Sequence, residues 1–352
     1  MKLKISELGK VITGNTPSKK IKEFWDKDDV GFVKPDIISD EHIVKIKSED
    51  CNEFISNAAI SKARIVPKNS IFVTCIGNIG KIGVATENLA FNQQINAIIP
   101  NENVNLDYLC YAIFANKTRL QDIANAPIVP LLNKSQFSEF ELEFDMDINT
   151  QTRIVHELNT VSNIILKYKQ ELLLLDELVR ARFVEMFGEI EDCDKWESKI
   201  WNEVVTIKNG RDYKKVLVSD GGYPVVGTGG EIARASKYLC PENTIVVGRK
   251  GSINNPMLMK EKFWNVDTAF GVIPNSDYLH YQYFYCFCKF YNFMKLNKAT
   301  TLPSTTKADL LKIRINIPPL ELQNQFASFV QEIDKSRLLS NHSLFLIKSI
   351  IF

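Results

Sequence analysis

The sequence predicts an α+β protein in which two similar mixed α/β heads are separated by a long antiparallel two-helix coiled coil and related by an internal pseudo-two-fold. Three observations lead there. A block recurs, Pro67-Lys68-Asn69-Ser70-Ile71-Phe72-Val73 returning 174 residues later as Pro241-Glu242-Asn243-Thr244-Ile245-Val246-Val247. Around both blocks, strand-like and helix-like patterns are mixed. Each copy then ends in a long segment whose apolar residues step by four and three. Solenoid repeats have periods of about 20 to 50 residues, so a spacing this long points to a duplicated domain.

Taken in order, the first copy opens with Glu7-Leu8, Val11 and Gly14, which match Glu203-Val204, Ile207 and Gly210 at an offset of 196. From the Pro67 block the offset falls to 174 and carries Gly77, Ile79, Glu87 and Ile99-Pro100-Asn101 onto Gly251, Ile253, Glu261 and Ile273-Pro274-Asn275. Most of the length difference therefore lies between the opening motif and the Pro67 strand, where a copy-specific task is expected. Residues 71–74 and 244–247 read as buried strands, and residues 140–144 and 313–317 alternate as half-buried strands do. Residues 106–115 and 278–290 are helix candidates whose aromatics suit a core. Gly77-Asn78-Ile79-Gly80 and Gly227-Thr228-Gly229-Gly230 read as turns.

The terminal segments of the two copies carry a coiled-coil seam. In the first it is Ile154, Leu158, Val161, Ile165, Tyr168, Leu172, Leu175 and Val179, seven residues per two turns. In the second, 172 residues on, it is Phe326, Val330, Ile333, Leu344, Ile347 and Ile351, interrupted at Arg337 and Ser340, where Leu338 and Leu339 offer a shifted contact. Asp147, Asn149 or Thr150 can cap the first helix, Pro318-Pro319 suits entry into the second, and Gly188 suits a stop. The expected divisions are 1–147, 148–188, 189–318 and 319–352. At ~1.5 Å per residue the first helix would run about 55 Å. Packing of each helix onto its own head is the alternative, but so narrow a stripe favours a helix partner. Helices related by a pseudo-two-fold run antiparallel, giving a dumbbell with a rigid spacer.

Composition narrows the function classes. The 352 residues are 45% hydrophobic, enough for two domains with cores of their own. No apolar run reaches the ~18 residues of a membrane span, and no signal-peptide core follows Met1, so a soluble, cytoplasmic protein without membrane contact is expected. Seven cysteines, an odd and scattered set, suit reduced thiols. The net charge of +1 means that a nucleic-acid partner would have to meet local basic patches, which otherwise read as solvated surface. Gly80-Lys81 is followed by Ile82, not the Ser or Thr of a phosphate-binding loop. The four histidines are dispersed and Cys286-Phe287-Cys288 lacks zinc-knuckle spacing, so no metal, no cofactor and no catalytic residue is expected on this chain.

The segment Ile12-Thr13-Gly14-Asn15-Thr16-Pro17-Ser18-Lys19, followed by Phe24-Trp25 and Val33-Lys34-Pro35, resembles the opening of the specificity subunits of type I restriction-modification systems. Pro130-Leu131-Leu132-Asn133-Lys134 resembles that family's late recognition-domain motif. Gln151-Thr152-Arg153-Ile154-Val155, and Ile317-Pro318-Pro319-Leu320-Glu321 with Gln325, resemble the starts of its two conserved helical regions. The resemblance covers the whole chain. It implies two target recognition domains, each reading one half of a split site on double-stranded DNA. It also implies paired helices that set the gap and dock methyltransferase subunits, two in number, with restriction subunits joined through them. S-adenosylmethionine and ATP would then be bound by those partners. Half-sites one turn apart, about 34 to 36 Å, suit such a molecule, and the helix length sets an outer limit near 16 base pairs at about 3.4 Å each.

On this resemblance Thr16, Ser18, Lys19, Lys20 and Lys22 of the first head are expected at the DNA backbone, and Asn78, Lys81, Asn92, Gln93 and Gln94 near the bases. In the second, Lys208, Arg211, Tyr213, Lys214 and Lys215 match the opening segment. Arg249, Lys250, Ser252, Asn254, Asp267 and Thr268 match the 75–94 region, and Thr300, Thr301 and Lys307 belong to the late motif. A surface or turn role would equally explain any one of them. Leu173, Leu174, Leu178, Phe183 and Phe187, apolar but off the seam, are the expected partner face, unless they pack on the chain's own heads. Within the same class, a type II-like system whose partner both cuts and methylates remains open. A two-headed scaffold that does not bind DNA is the alternative outside it.

Overall fold

The computed structural model describes residues 1–124, 129–190, 195–297 and 302–351, with side chains through 345. The chain divides into two compact units, Met1–Ile164 and Ile165–Phe352, and the division falls within one helix, Ile148–Phe187. Thr300 and Thr301 lie outside the described residues, as do the side chains of Ile347 and Ile351.

In the first unit the strand Ile95–Pro100 lies between Gly9–Thr13 and Ile71–Thr74, antiparallel to both. Ile82–Ala85 and, parallel to it, Val44–Ile46 complete a five-stranded sheet. Side chains alternate between the two faces of this sheet. Ile71, Val73 and Ile98 pack against Leu109, Cys110 and Ile113 of the helix Leu106–Ala115, whereas Phe72 and Ala97 pack with Val33 and Phe91 of a second, four-stranded sheet. Burial on both faces explains why Ile71–Thr74 reads as a continuous apolar run.

The second unit repeats this plan. Val205–Asn209, Ala269–Pro274, Thr244–Gly248 and Met257–Met259 follow the same strand order, and among the described residues no strand matches Val44–Ile46. Parallel pairing of Val30–Val33 with Leu89–Phe91 returns as Tyr223–Gly227 with Trp264–Asn265. The recurrent block makes the same turn twice. Asn69 and Asn243 are the two non-glycine residues with positive φ, 67° and 58°, among the described residues, and their N–H groups donate to Ala85 O and Met259 O at 2.8 and 2.7 Å. Asparagine tolerates this region better than most residues.

The first long helix, Ile148–Phe187, starts at Asp147, whose carboxylate accepts from Thr150 Oγ1 at 2.7 Å and Thr150 N at 3.1 Å. These bonds hold the carboxyl below its ordinary range. Gly188, at φ 90°, closes the helix with its N–H donating to Val184 O at 2.8 Å. Ile154, Leu158, Val161, Ile165, Tyr168, Leu172 and Leu175 are half-buried and Val179 is buried, while Leu173, Leu174 and Leu178 between them are exposed. Val155, which the four-three stepping does not mark, is also buried.

Within the second unit the long helices pack antiparallel, so that higher numbers on one meet lower numbers on the other. Phe183 and Phe187 place their rings 5.6 and 5.4 Å from Phe326, and Asp176 meets Arg337 at 2.6 Å. Phe326, Val330 and Leu344 are buried and Ile333 is half-buried. Two expectations are corrected. Ser340 stays in the seam, buried, while Leu338 and Leu339 face outward at 75% and 69% exposure, so the contact does not shift towards them. Phe183 and Phe187 are not a partner face. Both are buried, and Phe183 stacks on Tyr283 at 5.4 Å in the core of the second head, where aromatic burial outweighs exposure of the same rings.

Each long helix is tied to its own head by a buried glutamine. Gln151 accepts from Asn105 N at 2.8 Å and donates to Asp145 O at 2.7 Å. Gln323 accepts from His280 N at 2.8 Å and donates to Tyr278 O and Pro318 O at 2.9 and 2.8 Å. Asn105 and His280 are in turn the N-caps of Leu106–Ala115 and Tyr281–Phe290. Burial lowers the pKa of His280, favouring the neutral ring that can accept from Gln282 N at 3.1 Å.

Candidate nucleic-acid interface

Three segments far apart in sequence converge at one end of the sheet that holds the opening strand, and they do so in both units. In the first, Gly14 N donates to Ile95 O and Asn15 N to Phe91 O, which folds the opening motif over the strand ends. Cys75 N donates to Gln94 O, Leu132 N to Cys75 O and Gly77 N to Pro130 O, which adds the 75–94 region and the late motif. In the second, Arg211 N donates to Asn265 O, Arg249 N to Thr268 O and Gly251 N to Pro303 O. Glycine is required at the crossing: a Cβ on Gly14 would lie 2.1 Å from Asn92 O, and one on Gly210 1.8 Å from Val266 O.

Within these clusters the expected residues take different places. Thr16, Ser18, Lys19, Lys20, Lys22, Asn78 and Gln93 are exposed and Gln94 is half-buried. Thr16 Oγ1 donates to Gln93 Oε1 at 2.7 Å, linking the opening motif to the 92–94 turn. Asn92 is buried and donates to Gln94 Oε1 at 2.8 Å, so it shapes that turn instead of facing a base. Lys81 Nζ donates to Pro35 O at 3.2 Å. In the second unit Lys208, Arg211, Lys214, Lys215, Arg249, Lys250, Ser252, Asn254 and Asp267 are exposed, and Tyr213 and Thr268 half-buried. Asn254 Oδ1 accepts from Phe293 N at 2.7 Å and Lys307 Nζ donates to Ile207 O at 2.9 Å, so both are committed within the fold.

The copy-specific stretch of the first unit carries its own charge network. Glu53 accepts from Lys34 at 2.6 Å and Lys19 at 3.0 Å, and these ammonium groups hold its carboxyl below the usual range. Asp40 pairs with Lys117 and accepts from Asn78, which lowers its pKa as well. These contacts fasten the stretch to the shared scaffold. Gln151 and Gln323, which tie head to helix, were missed in the sequence; their common offset of 172 was the signal available. Among the described residues no His, Cys, Asp and Glu group is placed to hold a metal, and no helix is long and apolar enough to cross a membrane.

Known proteins share this plan. The family model described as type I restriction modification DNA specificity domain matches residues 1–174 and 193–347. The type I restriction enzyme MjaIX specificity subunit of Methanocaldococcus jannaschii is 24% identical, over 99% of this chain and 89% of its own. The HindI specificity subunit of Haemophilus influenzae is 34% identical over 39% of this chain and 30% of its own. Among solved structures, the type I S subunit from M. genitalium aligns over 99% of this chain and 93% of its own with a TM-score of 0.61 at 16% identity, a likeness of fold. Matched in both halves, the chain belongs to the type I restriction modification DNA specificity family.

Proposed function

We propose that this chain is the DNA-recognition subunit of a type I restriction-modification complex and that each unit reads one half of a split double-stranded target. The observation that carries the reading is the convergence of the opening, central and late segments at one sheet end in both units. Exposed cations there suit phosphates, and amide and hydroxyl side chains suit base edges. Relatives named as type I favour this over a type II-like system or a two-headed scaffold. The exposed leucines Leu173, Leu174 and Leu178 dock methyltransferase subunits, two per chain, through which restriction subunits join. The chain itself is non-catalytic, S-adenosylmethionine and ATP are bound by those partners, and the assembly works in the cytoplasm.

The test uses the complex assembled with its methyltransferase subunits on the target identified from methylation patterns in cells with and without the gene. Lys214→Glu with Lys215→Glu should weaken binding and reduce the salt slope; unchanged binding and slope would rule out this phosphate-contact assignment. Leu174→Asp with Leu178→Asp should abolish co-purification with the methyltransferase, and retained co-purification would exclude that face.

A further inference from the structure

The repeat allows the two DNA-facing ends to be compared position by position. Asn15 and Arg211 are equivalent, because their N–H groups donate to Phe91 O and Asn265 O, residues related by the 174 offset. Cys75 and Arg249 are equivalent through Gln94 O and Thr268 O, and Ile76 and Lys250 through their bridges to Leu131 and Ser304. Lys208 matches Ile12 on the strand ahead of Gly210 and Gly14. At four equivalent places the second unit therefore has Lys208, Arg211, Arg249 and Lys250, all exposed, where the first has Ile12, Asn15, Cys75 and Ile76.

The strand register brings these four cations together. Asn209 and Val247 flank the same residue, Phe270, from opposite sides, so the ends of their strands lie one strand apart. The backbone N–H groups of Arg211 and Arg249 then donate to the carbonyls of Asn265 and Thr268 on either side of Asp267, and Arg249 Nη1 donates to Asp267 O at 3.4 Å. In the first unit, several lysines near the matching end have partners within the unit: Lys19 and Lys34 with Glu53, Lys81 with Pro35 O and Lys117 with Asp40. Lys19 stays exposed in its ion pair, and Lys20, Lys22, Lys62 and Arg64 are exposed as well, the last two meeting Asn15 through their backbone. Whole-head charge follows the same trend. Residues 1–147 hold 17 Lys and Arg against 20 Asp and Glu, and residues 189–318 hold 18 against 14.

We infer that the two heads divide the work of DNA binding unequally: the second supplies most of the phosphate contacts that anchor the duplex, and the first reads its half-site with less phosphate neutralisation. This rests on the DNA-recognition reading above. Counterion release accompanies phosphate contacts, so salt sensitivity belongs mainly to the second head. At these four matched positions only the second copy has a cation, although Lys19 and Lys134 do match Lys215 and Lys307.

The experiment measures affinity for the split target against salt, in the assembled methyltransferase complex, for two quadruple variants. K208Q/R211Q/R249Q/K250Q should reduce the magnitude of the log-log slope by about 3 to 4, at about 0.9 per phosphate contact. K19Q/K20Q/K22Q/K81Q should reduce it by less than half as much. An equal or larger drop in the first-head variant would overturn the inference. Phosphate-ethylation interference on the unmodified complex tests it without any variant: interfering phosphates should cluster in one half-site, and an even spread refutes the division. If the unmodified complex prefers no split target at all, it is the DNA-recognition reading that fails.

Discussion

Replacing Gln323 by Leu isolates the tie between head and helix. Gln323 is fully buried, and its side chain serves one N–H and two carbonyls, at distances of 2.8 to 2.9 Å. Leucine fills much of the volume but leaves the His280 N–H and the Pro318 and Tyr278 carbonyls without this partner. A buried polar group left unsatisfied costs about 1–3 kcal/mol. Carbonyls retain a second lone pair and Tyr278 is partly exposed, so the N–H dominates and the total should be about 2–4 kcal/mol. For a unit of this size, about 2–4 °C per kcal/mol, the expected fall in Tm is roughly 10 °C. Thermal unfolding followed by circular dichroism measures it, with Gln325→Leu, on an exposed position of the same turn, as the control. A Q323L protein that melts with the unmodified chain would refute the idea that this glutamine holds the helix to the head.

The duplicated turn gives a paired prediction. Asn243→Ala should destabilise by up to about 1 kcal/mol, because alanine keeps the Cβ but lacks the short polar side chain that eases asparagine into the left-handed region, whereas Asn243→Gly should be neutral or slightly stabilising; denaturant titration separates them, and equal midpoints would exclude backbone strain as the cause. Asp147 gives a pH dependence. Its folded pKa is depressed, so its contribution is present above the ordinary carboxylate value near 4 and is lost as pH falls through its lower folded value. The stability gap between the unmodified chain and Asp147→Ala should accordingly close between about pH 4 and lower pH, measured by chemical unfolding at each pH. The thiols of Cys51, Cys75, Cys240 and Cys286 are pushed up to about 12 by burial, and those of Cys110 and Cys288 are raised for the same reason. Iodoacetamide at pH 7.5 followed by peptide mass mapping should leave all six unmodified in the folded protein, and rapid alkylation of any of them would contradict its burial.

Much of the fold was legible because the chain states it twice. Ile71–Thr74 and Leu106–Ala115 have the expected bounds, since a strand buried on both faces and a helix with one apolar face leave unambiguous periodicities. The half-buried seam of the first helix and its exposed off-seam leucines were also readable from the step of four and three. Phe183 and Phe187 were misread because a one-dimensional stripe records that a residue is apolar and off the seam, not what lies opposite it. Opposite them stand Tyr283 and Phe326. Asn92 was misread for a similar reason: a polar side chain in a turn satisfies its neighbour, here Gln94, before it can serve a ligand.

Sequence alone determined the duplication, the helix seams, the family resemblance and the stretch in which the copies part, because each is a property of order and period. Tertiary structure decided which cations are free and which are spent inside the fold. That choice depends on strand register and on carboxylates and carbonyls brought in from elsewhere in the chain: Glu53 and Asp40 reach lysines of the first head, while among the described residues Lys208, Arg211 and Lys250 of the second meet no carboxylate. Lysine and arginine look alike in a composition count whether their charge is compensated or open to a phosphate. Only the distances distinguish them.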